Sequence, residues 1–192
     1  METSTTAKAS LRASMKALRS SMDPALRADA SRRAVEWIRK TPLYCRAESC
    51  LAYLPFGSEL DIGSLLDPAV DGKRVYVTRC AFATRTIEVC PYPCDLVPMR
   101  SGLFQPAPSV PALEDALIGT RVEVALVPGL AFSRTTRHRL GYGAGFYDLL
   151  LGRHSLPTIG VCFASQLVDD LPHNSHDVPV DLVATEEGVL GA

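Results

Sequence analysis

Short apolar segments separated by helical patterns constrain the fold of this chain more than any other feature. Residues 49–54, 74–78, 122–127, 158–163 and 182–185 are mostly apolar, and several of them end at a proline or a turn residue. Such segments are typical of strands buried on both faces, and helical patterns between successive strands indicate parallel pairing. We therefore predict one α/β domain over residues 1–192, with a mainly parallel, Rossmann-like sheet and helices on both faces.

Two helices are predicted before the first strand, and a proline-rich segment is predicted between later strands. Residues 1–40 are predicted to form two helices, the first ending near Ser20 and the second starting at the capping pair Asp23-Pro24. We expect the second helix to bury Leu26 and Ile38, with Trp37 packed in the core. A short edge strand is predicted at 86–89, and the proline-rich segment 91–111 is predicted to be a long irregular connection.

Composition excludes several classes of partner. The net charge is −1, so nothing indicates a nucleic acid or an anionic membrane as partner, and no apolar run is long enough to span a bilayer. The six cysteines show no metal-binding or disulfide spacing, and we interpret them as reduced thiols. The first 22 residues faintly resemble an organelle transit peptide, but their apolar spacing favours a helix of the domain. We expect a cytoplasmic monomer that acts on small molecules.

A glycine-rich stretch follows the strand predicted at 122–127. Its sequence is Arg139-Leu140-Gly141-Tyr142-Gly143-Ala144-Gly145-Phe146-Tyr147-Asp148. Alternate glycines permit positive φ angles and expose backbone amides, and amides next to a helix N-terminus bind anions. Arg139 adds positive charge, and the carboxylate of Asp148 is a ligand that Mg²⁺ prefers. The stretch is therefore a candidate site for a nucleotide phosphate with its Mg²⁺.

The spacing of these glycines does not by itself establish a function. Glycine-rich turns between a strand and a helix also occur without any ligand. The P-loop pattern is excluded because no lysine follows Gly145, and the dinucleotide-binding pattern is excluded because Phe146 stands where its third glycine belongs. A phosphate site and a plain turn both stay open at this point.

The sequence of this stretch and of several other motifs closely resembles that of the 5-formyltetrahydrofolate cyclo-ligase family. The matching motifs occur in the same order as in the family and extend over nearly the whole chain. They are Lys8-x-x-Leu11-Arg12, Tyr53-Leu54-Pro55 with Glu59-Leu60-Asp61, Gly72-Lys73-Arg74-Val75, Gly102-Leu103-Phe104-Gln105-Pro106, Val127-Pro128-Gly129, the glycine-rich stretch, and Val180-Asp181-x-Val183-x-Thr185-Glu186.

The resemblance implies a reaction and its substrates. It implies ATP- and Mg²⁺-dependent closure of 5-formyltetrahydrofolate to 5,10-methenyltetrahydrofolate, with release of ADP and phosphate. The substrate supplies the nucleophiles in this scheme, so the absence of an evident catalytic triad agrees with it. The expected ligands are a reduced folate and ATP.

The resemblance also implies roles for individual residues. Arg139 and Lys8 are the expected catalytic cations, and Lys8, Arg12, Arg139 and the amides of Gly141, Gly143 and Gly145 are expected on phosphate. Tyr147 is expected between nucleotide and folate, Leu54 and Glu59 on the folate, and Asp148 and Asp181 on Mg²⁺. The plainer alternatives are a solvated helix face for Lys8 and Arg12, capping roles for the two aspartates, and a surface glutamate at position 59. We interpret His176 and Asp177 as loop structure.

The chain departs from the family pattern before Arg139. The family usually has Phe-Asp-x-x-Gly-x-Arg, whereas this chain has Ser133 in place of the Asp, no turn glycine and one added residue. We expect Thr135 or Thr136 to take the turn position, and loss of the acid to weaken Mg²⁺ organisation. Gln105 replaces a glutamate that is common in the family. A family member that binds folate or nucleotide without cyclisation is therefore an alternative, and an unrelated α/β enzyme is a more distant one.

Overall fold

The computed structural model describes residues 2–82, 85–99 and 102–191 of the chain. The helices are α1 (Glu2–Ser20), α2 (Pro24–Lys40), α3 (Pro42–Arg46), α4 (Pro68–Asp71), α5 (Asp115–Arg121) and α6 (Phe146–Arg153). The strands are β1 (Ser49–Ala52), β2 (Arg74–Ala81), β3 (Thr86–Tyr92), β4 (Leu96–Pro98), β5 (Phe104–Pro106), β6 (Val124–Pro128), β7 (Ala131–Ser133), β8 (Arg139–Leu140), β9 (Thr158–Val161), β10 (Leu167–Val168), β11 (Leu182–Thr185) and β12 (Gly188–Leu190). None of the described helices is both long and apolar enough to cross a bilayer.

A seven-stranded sheet forms the centre of the fold. Its strand order is β12-β11-β9-β6-β1-β2-β3. The five inner strands run parallel, and the edge strands β3 and β12 are antiparallel to their neighbours. A smaller sheet, β10-β7-β8, lies beyond the end of β6, and β4 pairs with β5.

Alternating side chains of the inner strands feed two separate cores. In β6, Val124 and Leu126 belong to the core that α2 and α3 cover, whereas Ala125 and Val127 belong to the core that α5 and α6 cover. Strands β1, β9 and β11 are buried along their whole length, and β6 is buried except at Pro128, because both faces are covered. Strand β2, next to the edge strand, is buried only over residues 75–77. The predicted α/β fold with helices on both faces is confirmed.

The first helix occupies a different place from the others. Leu11 and Met15 of α1 pack against the cluster of Leu130, Ala131 and Leu140 around the small sheet. Because β7 directly follows the carboxyl end of β6, this contact places α1 over the carboxyl edge of the central sheet. The polar face of α1 thereby reaches the edge at which α/β folds bind ligands.

The start of α2 follows from its sequence. The Asp23 carboxylate accepts hydrogen bonds from the amides of Ala25 and Leu26, at 2.8 and 3.2 Å, and Pro24 occupies the first turn. Two burial predictions for this helix are wrong, because Leu26 is 68% exposed and Trp37 is 38% exposed. Trp37 lies on the surface with the Lys40 ammonium 5.0 Å from its ring centre.

The proline-rich segment is more regular than we predicted. Strands β4 and β5 form an antiparallel pair within it, so residues 91–111 are not wholly irregular. Residues 100 and 101 of the segment lie outside the described residues. The prolines at 98 and 106 sit at the ends of these strands, where a missing amide is tolerated.

The ring of Phe132 is fully buried between Gly129, which follows β6, and Gly160 of β9. A Cβ added at Gly129 would lie 2.6 Å from Cε2 of Phe132, and one at Gly160 would lie 2.9 Å from its Cζ. The backbone on both sides of the ring therefore admits only glycine. This packing anchors β7, and with it the small sheet, to the carboxyl ends of β6 and β9.

We expect Gly129→Ala and Gly160→Ala each to destabilise the protein by about 1–3 kcal/mol, because the added methyl displaces a buried ring. Gly119→Ala in α5 is the matched control, since nothing lies within 4 Å of its Cβ position. That change should leave stability unchanged or raise it slightly. Urea unfolding measures all three variants, and equal stability of Gly160→Ala and Gly119→Ala would contradict the packing argument.

Candidate active site

A cleft of about 1040 Å³ opens at the carboxyl edge of the central sheet. Its walls include Leu54 after β1, Thr78 in β2 and Pro128 at the end of β6. The chain passes from β1 to β2 on one side and later to β6 on the other, so β1 and β6 flank the topological switch point. Ligands of parallel α/β sheets bind at such points, and this volume is at the upper end of the range for ligand pockets.

The three glycines of the glycine-rich stretch line this cleft. Gly143 and Gly145 have φ angles of +109° and +73°, which other residues rarely adopt, and Gly145 is the N-cap of α6. A Cβ at Gly141 would lie 2.8 Å from Nη1 of Arg139. The glycines thus allow a tight turn that brings backbone amides and the N-terminus of α6 to the cleft.

The predicted cations of α1 also reach the cleft. The Lys8 ammonium binds Oδ2 of Asp177 at 2.7 Å, and its side chain is only 13% exposed. Arg12 donates from Nε to the carbonyl oxygen of Gly141 at 2.9 Å. Lys8 and Arg12 therefore do not lie on a solvated face of α1.

Arg139 is the most buried cation of the cleft. Its side chain is 5% exposed, and its Nη2 lies 3.0 Å from Oδ2 of Asp148. The guanidinium carbon is 5.4 Å from the ring centre of Tyr147. Among the described residues, Nε of Arg139 has no hydrogen-bond partner. A buried donor without a partner is costly, so this arrangement favours an anionic ligand beside Arg139.

Glu59 lies at the other end of the cleft and is not a surface glutamate. Its side chain is 10% exposed, Oε2 accepts from the amide of Phe56 at 3.1 Å, and Oε1 accepts from the hydroxyl of Tyr142 at 2.7 Å. Burial raises the pKa of Glu59, and the Tyr142 hydrogen bond and the Arg19 charge oppose that rise. Leu54, Phe82 and Phe104 add apolar lining to the cleft, with the ring of Phe82 against that of Phe146.

The structure does not bring Asp181 to the cleft, and its assignment to the metal is wrong on geometric grounds. Its Oδ2 accepts hydrogen bonds from the amide and the hydroxyl of Thr158, both at 2.8 Å. Thr158 is the first residue of β9, so Asp181 lies at the amino edge of the sheet. Its carboxylate joins the starts of β9 and β11 instead of facing a ligand at the carboxyl edge.

Asp177 takes the place in the cleft that we expected for Asp181. It lines the cleft and pairs with Lys8, so it is more than loop structure. Burial alone would raise the pKa of Asp177, but hydrogen bonds from Lys8 and from the amide of Asn174 hold the pKa below its ordinary value. Asp148 is close by, because its Oδ1 accepts from the amide of Val178 at 3.3 Å.

The described carboxylates in the cleft are too few to hold a metal ion by protein ligands alone. Within the described part of the chain, no group of three or more His, Cys, Asp or Glu side chains is placed to hold a metal ion. Mg²⁺ is commonly held by one or two carboxylates, with waters and substrate phosphates completing its shell. Asp148 and Asp177 fit that pattern when a phosphate is present.

The altered turn lies outside the cleft. Arg137, with φ of +56°, takes the left-handed position that we expected at Thr135 or Thr136. The buried hydroxyl of Ser133 accepts from the amide of Thr136 at 3.0 Å and closes the turn. None of residues 133–138 lines the cleft, so the expectation that loss of the acid weakens Mg²⁺ organisation has no support in the geometry.

Some residues in the cleft or next to it were not predicted from the sequence to belong to the site. Arg19 and Tyr142 contact Glu59, and Gln105 caps the amide of Cys80 through its Oε1 at 3.2 Å. Arg19 follows Lys8 and Arg12 on one face of α1, and this spacing was a usable signal. Nothing in the sequence pairs Tyr142 with Glu59.

Comparisons with known proteins agree with the geometry. The model of the 5-formyltetrahydrofolate cyclo-ligase family matches residues 4–186. The 5-formyltetrahydrofolate cyclo-ligase of Mycolicibacterium smegmatis is 34% identical over 187 residues, covering 93% of both chains. The protein of the same name from Escherichia coli K12 is 28% identical, covering 89% of this chain and 96% of the relative.

Solved structures show the same fold. The NMR structure of 5,10-methenyltetrahydrofolate synthetase from Aquifex aeolicus superposes with a TM-score of 0.80 at 25% identity, covering 95% of this chain and 91% of that one. The synthetase from Mycoplasma pneumoniae, at 17% identity, has a TM-score of 0.73 and supports the fold alone. With nearly its whole length matched, this chain is an enzyme that belongs to the 5-formyltetrahydrofolate cyclo-ligase family.

Proposed function

We propose that this enzyme converts 5-formyltetrahydrofolate and ATP to 5,10-methenyltetrahydrofolate, ADP and phosphate, with Mg²⁺. One observation carries the proposal. A single cleft joins a glycine loop with buried cations at one end to a buried carboxylate with apolar walls at the other. The first end suits a triphosphate, and the second suits a pterin ring that has hydrogen-bond donors on its edge.

The reaction needs alignment and charge stabilisation more than a protein nucleophile. The formyl oxygen attacks the γ-phosphorus, a new P–O bond forms, and the bond to the bridging oxygen breaks to release ADP. N10 of the folate then attacks the formyl carbon and loses its proton, while the carbon–oxygen bond breaks and phosphate leaves. Phosphorylation thus converts a poor leaving group into a good one.

The cations of the cleft have separate parts in this scheme. Arg139 is buried, and its unpartnered Nε is available to an oxygen of the transferred phosphoryl group. Lys8 adds a second cation when a phosphate takes the place of Asp177. Arg12 acts through its hydrogen bond to Gly141, which holds the glycine loop in position. When the bound substrates exclude water from the cleft, each fixed donor counts for more than it does in solvent.

Glu59 is the residue proposed to orient the folate. As a carboxylate it accepts hydrogen bonds from the N–H groups of a pterin ring, and Leu54 packs nearby. We assign Tyr147, whose ring centre lies 5.4 Å from the guanidinium carbon of Arg139, to the boundary between nucleotide and folate. Burial raises the pKa of Tyr147, so its hydroxyl stays protonated at neutral pH.

Mg²⁺ would be held by Asp148 and, once Lys8 has turned to phosphate, by Asp177. It would supply charge neutralisation at the phosphate oxygens. Both aspartates are paired with cations in the structure, so binding of the metal and the nucleotide exchanges these partners.

The alternative of a folate- or nucleotide-binding protein without cyclisation depended on the altered turn at residues 133–138. That turn does not line the cleft, and Ser133 closes it by its own hydrogen bonds. The geometry of the turn therefore gives that alternative no support.

We expect the purified protein to form the methenyl chromophore from 5-formyltetrahydrofolate only when both ATP and Mg²⁺ are present. Absorbance spectroscopy measures this directly, with omission of ATP, of Mg²⁺ and of protein as the controls. Tight binding of both ligands without any chromophore would reject cyclisation.

We expect Arg139→Ala to lower kcat/KM for ATP by about 10²- to 10³-fold, because a buried donor to the phosphoryl group is lost. Folate binding in the absence of nucleotide should stay close to that of the wild type. Arg134→Ala is the matched control, because Arg134 is an exposed arginine outside the cleft. A similar loss in both variants would contradict the role of Arg139.

We expect Asp148→Asn and Asp177→Asn to raise the Mg²⁺ concentration that gives half-maximal rate, because each removes a negative ligand. Asp181→Asn should leave that concentration unchanged and lower stability by about 1–2 kcal/mol through its bonds to Thr158. Magnesium titration and thermal unfolding separate the two effects. An altered metal requirement in Asp181→Asn would restore the assignment that we reject.

A further inference from the structure

A continuous chain of hydrogen bonds joins the first helix to the carboxylate of Glu59. Arg19 of α1 donates from Nη2 to the hydroxyl of Tyr142 at 2.6 Å, and this hydroxyl donates to Oε1 of Glu59 at 2.7 Å. Arg19 is itself fixed, since its Nε donates to Ser58 at 3.1 Å and the residue is 5% exposed. The proposed reaction does not use Arg19 or Tyr142.

Tyr142 also belongs to the glycine loop. It stands between Gly141, whose carbonyl accepts from Arg12, and Gly143, whose φ is +109°. The α1 helix therefore holds this segment at two points, through Arg12 at the backbone and through Arg19 at the side chain. The side chain of Tyr142 therefore connects Glu59 to the backbone between two glycines that line the cleft.

The groups that face Glu59 come from several elements. Arg19 and Tyr142 approach it from α1 and the glycine loop, with Nη1 of Arg19 4.0 Å from Oε1. Tyr53 after β1 and Tyr147 of α6 are the other titratable groups that interact with its charge, and burial raises the pKa of both. Burial also raises the pKa of Tyr142, to about 12. Among these described neighbours of Glu59, Arg19 is therefore the only one that carries a charge at neutral pH.

We infer that Tyr142, backed by Arg19, is a positioning residue that couples the Glu59 end of the cleft to the glycine loop, so that reduced folate and nucleotide each strengthen the binding of the other. This inference rests on the proposed function, since it takes folate at Glu59 and triphosphate at the glycine loop. Coupling between two sites is reciprocal, and it requires a part that both ligands contact or move. Tyr142 is such a part, because its hydroxyl binds Glu59 and its backbone lies in the loop.

The geometry indicates that the coupling is positive, so that each ligand strengthens the binding of the other. Tyr142 and Arg19 leave Oε1 of Glu59 fixed and able to accept a further bond from a pterin. A folate that binds there holds Glu59 in place, and Glu59 then holds Tyr142 and the loop in the conformation that presents amides to phosphate. A nucleotide that orders the loop does the same in the reverse direction.

The test measures binding of 5-formyltetrahydrofolate to the full chain by calorimetry, with and without the non-hydrolysable nucleotide AMP-PNP plus Mg²⁺. In the wild type we expect the nucleotide to tighten folate binding by roughly 5-fold or more. In Tyr142→Phe we expect folate binding to weaken by about tenfold and the effect of nucleotide to fall to nearly none, because a hydrogen bond to a charged group is lost. Tyr142 is 45% exposed and the change removes one oxygen, so the variant should fold.

A pH profile separates positioning from a general structural effect. Pterin donors bind an ionised Glu59 more strongly than a protonated one, because the charge strengthens the hydrogen bonds. Burial raises the pKa of Glu59, whereas Tyr142 and Arg19 oppose that rise. Removing the Tyr142 hydroxyl or the Arg19 charge should therefore raise the pKa of Glu59 further. On acidification, folate binding should therefore be lost at a higher pH in Tyr142→Phe and in Arg19→Met than in the wild type.

Lys16→Met is the matched control. Lys16 is an exposed cation of the same helix, 5.1 Å from the ring centre of Tyr142, and it has no described bond to Glu59. It should change neither the coupling nor the pH profile. In a Glu59→Gln background, Tyr142→Phe should have no further effect on coupling.

The outcomes distinguish the inference from the function on which it rests. If the wild type binds folate and forms product but Tyr142→Phe keeps both its coupling and its pH profile, this inference is overturned and the proposed function stands. If the wild type binds no 5-formyltetrahydrofolate, the proposed function fails and this inference fails with it. A shifted profile in Lys16→Met equal to that of Tyr142→Phe would also overturn the inference, because any nearby change would then have the same effect.

Discussion

The hydrogen bond from Arg12 to the carbonyl of Gly141 joins parts of the chain that are 129 residues apart, and the cleft depends on it. It holds the first helix against the glycine loop, and the apolar contacts of Leu11 and Met15 with the small sheet support the same position. Without this helix the cleft would lack Lys8 and Arg12, and Glu59 would lack Arg19. Arg139 would remain, but the glycine loop would lose its support.

The charges of the cleft are paired, but the pairs have exchangeable members. Lys8 binds Asp177, and Arg139 lies beside Asp148. Each pair spares its members the cost of a buried charge without a partner. In the proposed reaction, phosphate would take the place of the aspartates beside Lys8 and Arg139, and Asp148 and Asp177 would be free to hold Mg²⁺. The same side chains are thus paired with one another in the structure and would be paired with ligand groups during the reaction.

Local rules explain which predictions from the sequence were confirmed and which were wrong. The capping pair Asp23-Pro24 and the parallel inner strands depend on neighbouring residues and on apolar patterns, and they were found as predicted. The burial of Leu26 and Trp37 was predicted wrongly because the period of a helix does not show how wide its contact face is. The turn at 133–138 needed one left-handed residue, and Arg137 takes it where no glycine is present.

The sequence by itself determined the parallel strands of the central sheet, the start of α2, the glycine turn and the family, since each follows from residue type and spacing. Only the tertiary structure decided which acids reach the cleft. Asp177 and Asp181 are close in the chain, yet the segment between them crosses from the carboxyl edge of the sheet to its amino edge, so one faces Lys8 and the other binds Thr158. The same holds for Tyr142 and Glu59, because their hydrogen bond depends on how two distant loops meet over the sheet and not on the sequence around either residue.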